Sequence, residues 1–95
     1  MCINIIDKND KVLFNVTVYM PNYIYTPNTA TIKNYSENEG MTKLLLKLGV
    51  IEFIYSSKRF HTFNNETIDY CLINIDKLKK YSKVFNYEWK ISKRK

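Results

Sequence analysis

Glycine and proline are almost missing from this chain, with two of each among 95 residues. That scarcity excludes a collagen-like or low-complexity chain and leaves a domain built mostly of regular elements, whose turns must rely on Asn and Asp. Cysteine is equally scarce. Cys2 and Cys71 stand far apart without a CxxC partner, so neither a zinc site nor a redox pair has a motif, and two buried free thiols are expected. No apolar run approaches the ~20 residues that a membrane helix needs. The opening Met1-Cys2-Ile3-Asn4-Ile5-Ile6-Asp7 has no basic leader, so secretion and membrane spanning are disfavoured and a cytoplasmic location is expected. Three N-glycosylation patterns, at Asn15, Asn34 and Asn65, carry no weight in that setting.

Length allows one hydrophobic core and no second domain. A single domain over residues 1–91 with a mobile basic tail at 92–95 is expected. Hydrophobic residues make up 45% and charged residues 25%, as in ordinary globular proteins, so the chain should fold. Lys, Asn, Ile, Tyr and Phe together supply about half of it, while alanine occurs once, at Ala30. This is the bias of codons rich in A and T, and it points to a low-GC genome such as that of a Gram-positive bacterium, its phages or a large DNA virus. The net charge of +6 is unevenly placed. Residues 1–75 carry seven basic and seven acidic side chains, and residues 76–95 carry eight basic and two acidic. The body is therefore not a basic nucleic-acid surface, whereas its C-terminal part has the charge for one.

Hydrophobic periodicity predicts an α+β fold: an antiparallel sheet of about four to six strands, a main helix over about 36–48 packed on it, and a short C-terminal helix. Ile3 to Asp7 and Lys11 to Met20 read as strands joined by the polar turn Asp7-Lys8-Asn9-Asp10. In the second, Val12, Phe14, Val16, Val18 and Met20 alternate with Leu13, Asn15, Thr17 and Tyr19. Pro21 ends that strand, and a loop to Asn28 displays Tyr23 and Tyr25. Thr29 to Lys33 reads as a short third strand. Ser36-Glu37-Asn38-Glu39 has the S-x-x-E form of a capping box, followed by Met41, Leu44, Leu45 and Leu48 at helical spacing and by Gly49 as a left-handed stop. Val50 to Tyr55 and Thr67 to Ile75 read as strands, Asp76 as the cap of a helix from Lys77 to about Phe85, and Tyr87, Trp89 and Ile91 as a last strand.

Candidate chemistry is sparse. Glu37 and Glu39 are already explained by the capping box and by the positive end of the helix, so no catalytic residue is assigned. His61 has no HxxxH spacing, no cysteine partner and no evident nucleophile, and neither a metal nor a cofactor is expected. Lys58-Arg59-Phe60-His61 is the best anion-binding segment, because a planar guanidinium grips phosphate with two hydrogen bonds. If this segment is a strand, Arg59 and His61 share one face while Lys58 and Phe60 share the other. Arg59, His61 and Lys33 are the candidate phosphate contacts, and Tyr23 and Tyr25 are candidates for stacking on a base. Lys79, Lys80, Lys83, Lys90 and Arg94 form an alternative, phosphate-tracking stripe for nucleic acid.

Across Ile32-Lys33-Asn34-Tyr35-Ser36-Glu37-Asn38-Glu39-Gly40-Met41 and the apolar helix that ends at Leu48-Gly49-Val50-Ile51, the chain resembles small proteins encoded by phages and prophages of Gram-positive bacteria. The resemblance covers about 20 residues and transfers no catalytic residue. It implies a mobile-element setting, in which a small protein acts as a non-enzymatic counter-defence factor by stoichiometric binding of a nucleotide signal or a host immune effector. Alternatives are a basic nucleic-acid-binding module that uses the C-terminal stripe, and a small phosphodiesterase-like enzyme that pairs His61 with Glu37 or Glu39. A domain this small gains from self-association, so a homo-oligomer is expected.

Overall fold

The computed structural model describes residues 1–59 and 66–88. Two three-stranded antiparallel sheets and two helices make up an α+β domain. The strands β1 (Cys2–Ile6), β2 (Val12–Asn15) and β6 (Phe85–Glu88) form sheet A, in the order β2-β1-β6. Sheet B has the order β3-β5-β4, from β3 (Thr29–Asn34), β4 (Ile51–Arg59) and β5 (Thr67–Ile73). The helices are α1 (Met41–Leu48) and α2 (Ile75–Lys80). The sequence predicts the antiparallel strands and the main helix, and the strands divide between two sheets instead of forming one. The core lies between them, with Ile3, Val16, Ile32, Leu45, Ile73 and Leu78 fully buried.

The division begins at Val16, inside what reads in sequence as one long strand. Val16 still donates to Ile3 O at 2.9 Å, but its own carbonyl accepts from Lys33 N on β3 at 2.8 Å. Val18 N then bonds to Thr31 O, and Thr17 pairs with Ile32, so the chain leaves sheet A and runs along the edge of sheet B. The switch takes from Ile3 the acceptor that the β1–β2 ladder would have given it. Thr17 Oγ1 accepts that N–H instead, at 3.1 Å. This crossing also breaks the expected two-faced strand: Val12, Leu13 and Phe14 are all exposed, and Val16 is the first residue of the run to be buried.

The turn from β1 to β2 forms where the sequence places it. Asp7 Oδ1 accepts from Asn9 N at 2.8 Å and from Lys11 N at 3.0 Å, and Asp10 takes a positive φ of 65°.

The expected capping box does not form. Ser36–Asn38 is a single 3₁₀ turn, α1 starts only at Met41, and neither N-cap residue, Tyr35 or Gly40, caps its helix with a side chain. Ser36 sits at φ 59° with its N–H on Glu66 Oε2 at 2.6 Å, Glu37 is drawn to Lys33, and Gly40 at φ 90° absorbs the break. A long-range carboxylate thus displaces the local one. The helix stop is as expected: Gly49 is left-handed at φ 79° and its N–H meets Leu45 O and Leu46 O. Asn74, not Asp76, caps α2, through Oδ1 to Lys77 N at 3.0 Å. Phe85, expected on the second helix, opens β6 and is buried.

One polar network holds α1 to sheet B. Asp69 is buried on β5 and its Oδ2 accepts from Thr42 Oγ1 and from Thr67 Oγ1, the latter at 2.9 Å. Asn34 joins them by accepting from Thr42 N at 3.1 Å and donating to Thr67 Oγ1 at 3.1 Å. Beside Asp69, burial and its negative charge push the Cys71 thiol up to about 12.

Candidate functional site

Cross-strand partners share a face of an antiparallel sheet, and alternate residues share it along each strand. On sheet B this puts Thr31, Tyr70 and Ser56 in one row, and Lys33, Ile68 and Lys58 in the next. The rows lie ~7 Å apart, two residues along the strand. Ala30, Cys71 and Asp69 lie on the opposite face, where α1 packs. The Tyr70 face carries the chemistry.

Six aromatic rings run across it. Tyr19 lies 5.7 Å from Tyr25, Tyr25 lies 6.5 Å from Tyr23 and 6.1 Å from Tyr70, and Tyr23 meets Tyr70 edge-on at 5.1 Å. Tyr55 continues the series at 5.4 Å from Tyr70, and Phe53 ends it at 5.1 Å from Tyr55. Such spacings are those of mutually attractive offset or edge-to-face pairs. Phe53, Tyr55 and Tyr19 are exposed, and Ile24 beside them is 84% exposed.

Two hydroxyl anchors fix the array. Thr31 Oγ1 spends its proton on Val18 O, so the 2.7 Å bond between the two hydroxyls is donated by Tyr25, which itself accepts from Met20 N at 2.9 Å. Burial pushes the Tyr25 phenol up and keeps it a donor. Tyr70 donates its hydroxyl to Ile24 O and ties the loop to the sheet. The loop aromatics therefore stand as a preformed surface.

The cations divide. Lys33 Nζ is held by Glu37 Oε2 at 2.7 Å and lies 5.4 Å from the centre of the Tyr35 ring. Its hydrogen bond, with help from the Glu37 and Ser36 groups around it, brings the exposed Glu37 carboxyl down to about 2. Arg59 pairs with Thr67 and so lies on the face opposite Tyr70, whereas Lys58 pairs with Ile68 on the Tyr70 face. Among the described residues Lys58 has no carboxylate partner. His61, Lys90 and Arg94 lie outside the described residues. The structure thus brings Tyr23 and Tyr25 together, separates Arg59 from them, and adds Tyr70, Tyr55, Phe53 and Lys58. The sequence pattern of alternating aromatics in 53–55 carries a trace of this; the pairing register that aligns them with the loop is not local information.

Lys79, Lys80 and Lys83 of the alternative stripe are exposed on α2 and the turn after it. Lys83 shares a cleft of about 350 Å³ with Asp7, Lys8, Asp10 and Ser82, so carboxylates interrupt the positive field there. Among the described residues no three His, Cys, Asp or Glu side chains converge on a metal position, and no helix is long and apolar enough to cross a membrane. Comparisons of the chain with protein-family models, curated proteins and solved structures find no match.

Proposed function

We propose that this protein is a non-enzymatic binder of a nucleotide, and that the aromatic face of sheet B is its binding surface. The observation that carries the reading is the anchored array of rings with Lys58 one row away. A base stacks on Tyr55, Tyr70 or Tyr23 without regard to its hydrogen-bonding edge. The row spacing of ~7 Å is about the reach of a ribose, which brings a phosphate to Lys58. In the phage setting that the sequence resembles, such a binder acts by sequestering a nucleotide signal, one ligand to one site, as a counter-defence factor.

Enzymatic use of Glu37 is poorly supported, because a carboxylate whose pKa is about 2 and whose oxygen is taken by Lys33 is a weak proton acceptor at neutral pH. A second reading, occupation of a host immune effector, draws support from Ile24 and Phe53, large apolar side chains that stand exposed at 84% and 56%.

Titration with adenosine monophosphate and with cyclic dinucleotides, followed by melting temperature and by amide chemical shifts, tests the first reading. Tyr55→Ala should weaken a bound nucleotide by ~1–3 kcal/mol, the usual worth of one stacked base. Lys58→Gln should weaken it less and only at low salt. If none of these nucleotides moves the melting temperature or the signals of Tyr55 and Tyr70, the nucleotide reading is wrong.

A further inference from the structure

Sheet B is closed along one edge and open along the other. The Val16–Val18 segment bonds to β3, whereas β4 has β5 on one side and, among the described residues, no strand on its other. At nine residues β4 is the longest described strand, and every residue from Glu52 to Arg59 except the half-buried Ile54 is exposed. An edge of this kind carries a row of backbone N–H and C=O groups that only water or another strand can satisfy.

Two bulges make this edge symmetric in charge. β4 carries one extra residue between Ile51 and Phe53 and another between Ile54 and Ser56, so its spacing follows β5, where Leu72, Tyr70 and Ile68 stand opposite Phe53, Ser56 and Lys58. Those three β5 residues are evenly two apart. Phe53, with Glu52 beside it in the first bulge, and Lys58 therefore lie one row, ~7 Å, on either side of Ser56. Neither Glu52 nor Lys58 has an ion-pair partner among the described residues.

We infer that two copies of this protein pair through β4, antiparallel and about a two-fold axis at Ser56, joining their B sheets into one of six strands. In that register each copy sets Lys58 against Glu52 and Phe53 of the other, which gives two ion pairs and two ammonium–ring contacts, and Tyr55 meets its own copy across the seam. Other registers fail on charge: a centre at Ser57 leaves both charges unmatched, and one at Lys58 opposes two ammonium groups. Bulges and an edge lysine discourage an arbitrary strand, so the edge admits the copy, which alone brings Glu52 to Lys58 twice. The seam is one strand wide, below the ~800 Å² per partner of a standard interface, and the dimer is accordingly weak. Its ion pairs are exposed and leave Lys58 accessible to a phosphate. The pairing needs no nucleotide and survives the failure of that reading.

Sedimentation velocity of the full chain, from about 20 μM to about 1 mM at low salt, should show monomer giving way to dimer, with the amide signals of Phe53 to Lys58 moving in step. Glu52→Lys should weaken the dimer about ten-fold, because two attractions become two repulsions, and Lys58→Glu should do the same. Both positions are exposed, so the fold is kept, as circular dichroism checks. An equimolar mixture of the two variants should pair again at about wild-type strength, since each supplies the charge that the other lacks. A local structural defect would not recover in this way. A monomer at every concentration, a dimer that neither variant weakens, or weakened variants that do not recover when mixed would each overturn the inference. So would assemblies larger than a dimer, because a two-fold seam closes on itself.

Discussion

Replacing Thr17 by Val removes one oxygen and should cost far more than one exposed hydroxyl. Thr17 Oγ1 is the acceptor for Ile3 N at 3.1 Å, in a strand residue with no exposed surface, because Val16 O has gone to Lys33 on the other sheet. Valine keeps the β-branched shape and leaves that N–H with neither protein nor water. A buried donor left unpaired costs ~1–3 kcal/mol. At ~4–8 °C per kcal/mol for a domain of this size, a loss near ~2 kcal/mol lowers the melting temperature by roughly 8–16 °C. Thr17→Ser keeps the oxygen and loses a methyl, so it should fall by no more than about half as much. Thermal unfolding followed by circular dichroism, with both variants and wild type in one buffer, measures this. A valine variant that melts within about 2 °C of wild type, or a serine variant as damaged as the valine one, would refute the claim that this hydroxyl replaces a ladder carbonyl.

The thiol at Cys71 stays protonated up to about 12, so an aromatic disulfide reagent at pH 8 should modify the half-buried Cys2 first and reach Cys71 only as the protein unfolds. Two equally fast equivalents in native buffer would contradict that burial. For Glu37, the folded carboxyl lies at about 2 against an ordinary 4.5, so its pairing with Lys33 favours the folded state above pH 4.5 and fades as pH falls towards 2. Comparing wild type with Glu37→Gln over that range should show a small difference that closes in acid, small because the pair is exposed; a difference that widens in acid would show the sign to be wrong.

Much of the fold was legible from local pattern. Alternation marked the strands, Asp7 marked the first turn, and Gly49 marked the end of α1, because each of these depends on a few neighbouring residues. What could not be read was decided at long range. Val16 serves two sheets because of β3, Ser36 turns left-handed because Glu66 takes its N–H, and Phe85 enters a strand because β1 is there to pair with it. The candidate site follows the same rule. Tyr23 and Tyr25 were recognisable as loop aromatics between two prolines, but Tyr70 and Tyr55 join them only through the register of β5 with its neighbours, and that register also sets Lys58, not Arg59, on their side.

The strand order has a consequence for synthesis on the ribosome. β3 and β4 do not pair with each other; both wait for β5, and β1 lacks one of its two neighbours until β6 emerges. A nascent chain that has reached only the end of β4 has made three-fifths of the domain and can complete neither sheet, so Thr29–Asn34 must spend that interval with only the Val16–Val18 segment to pair with. Folding of this domain thus waits for β5 and β6, and truncations that stop short of Glu88 should associate with chaperones instead of accumulating as smaller stable domains.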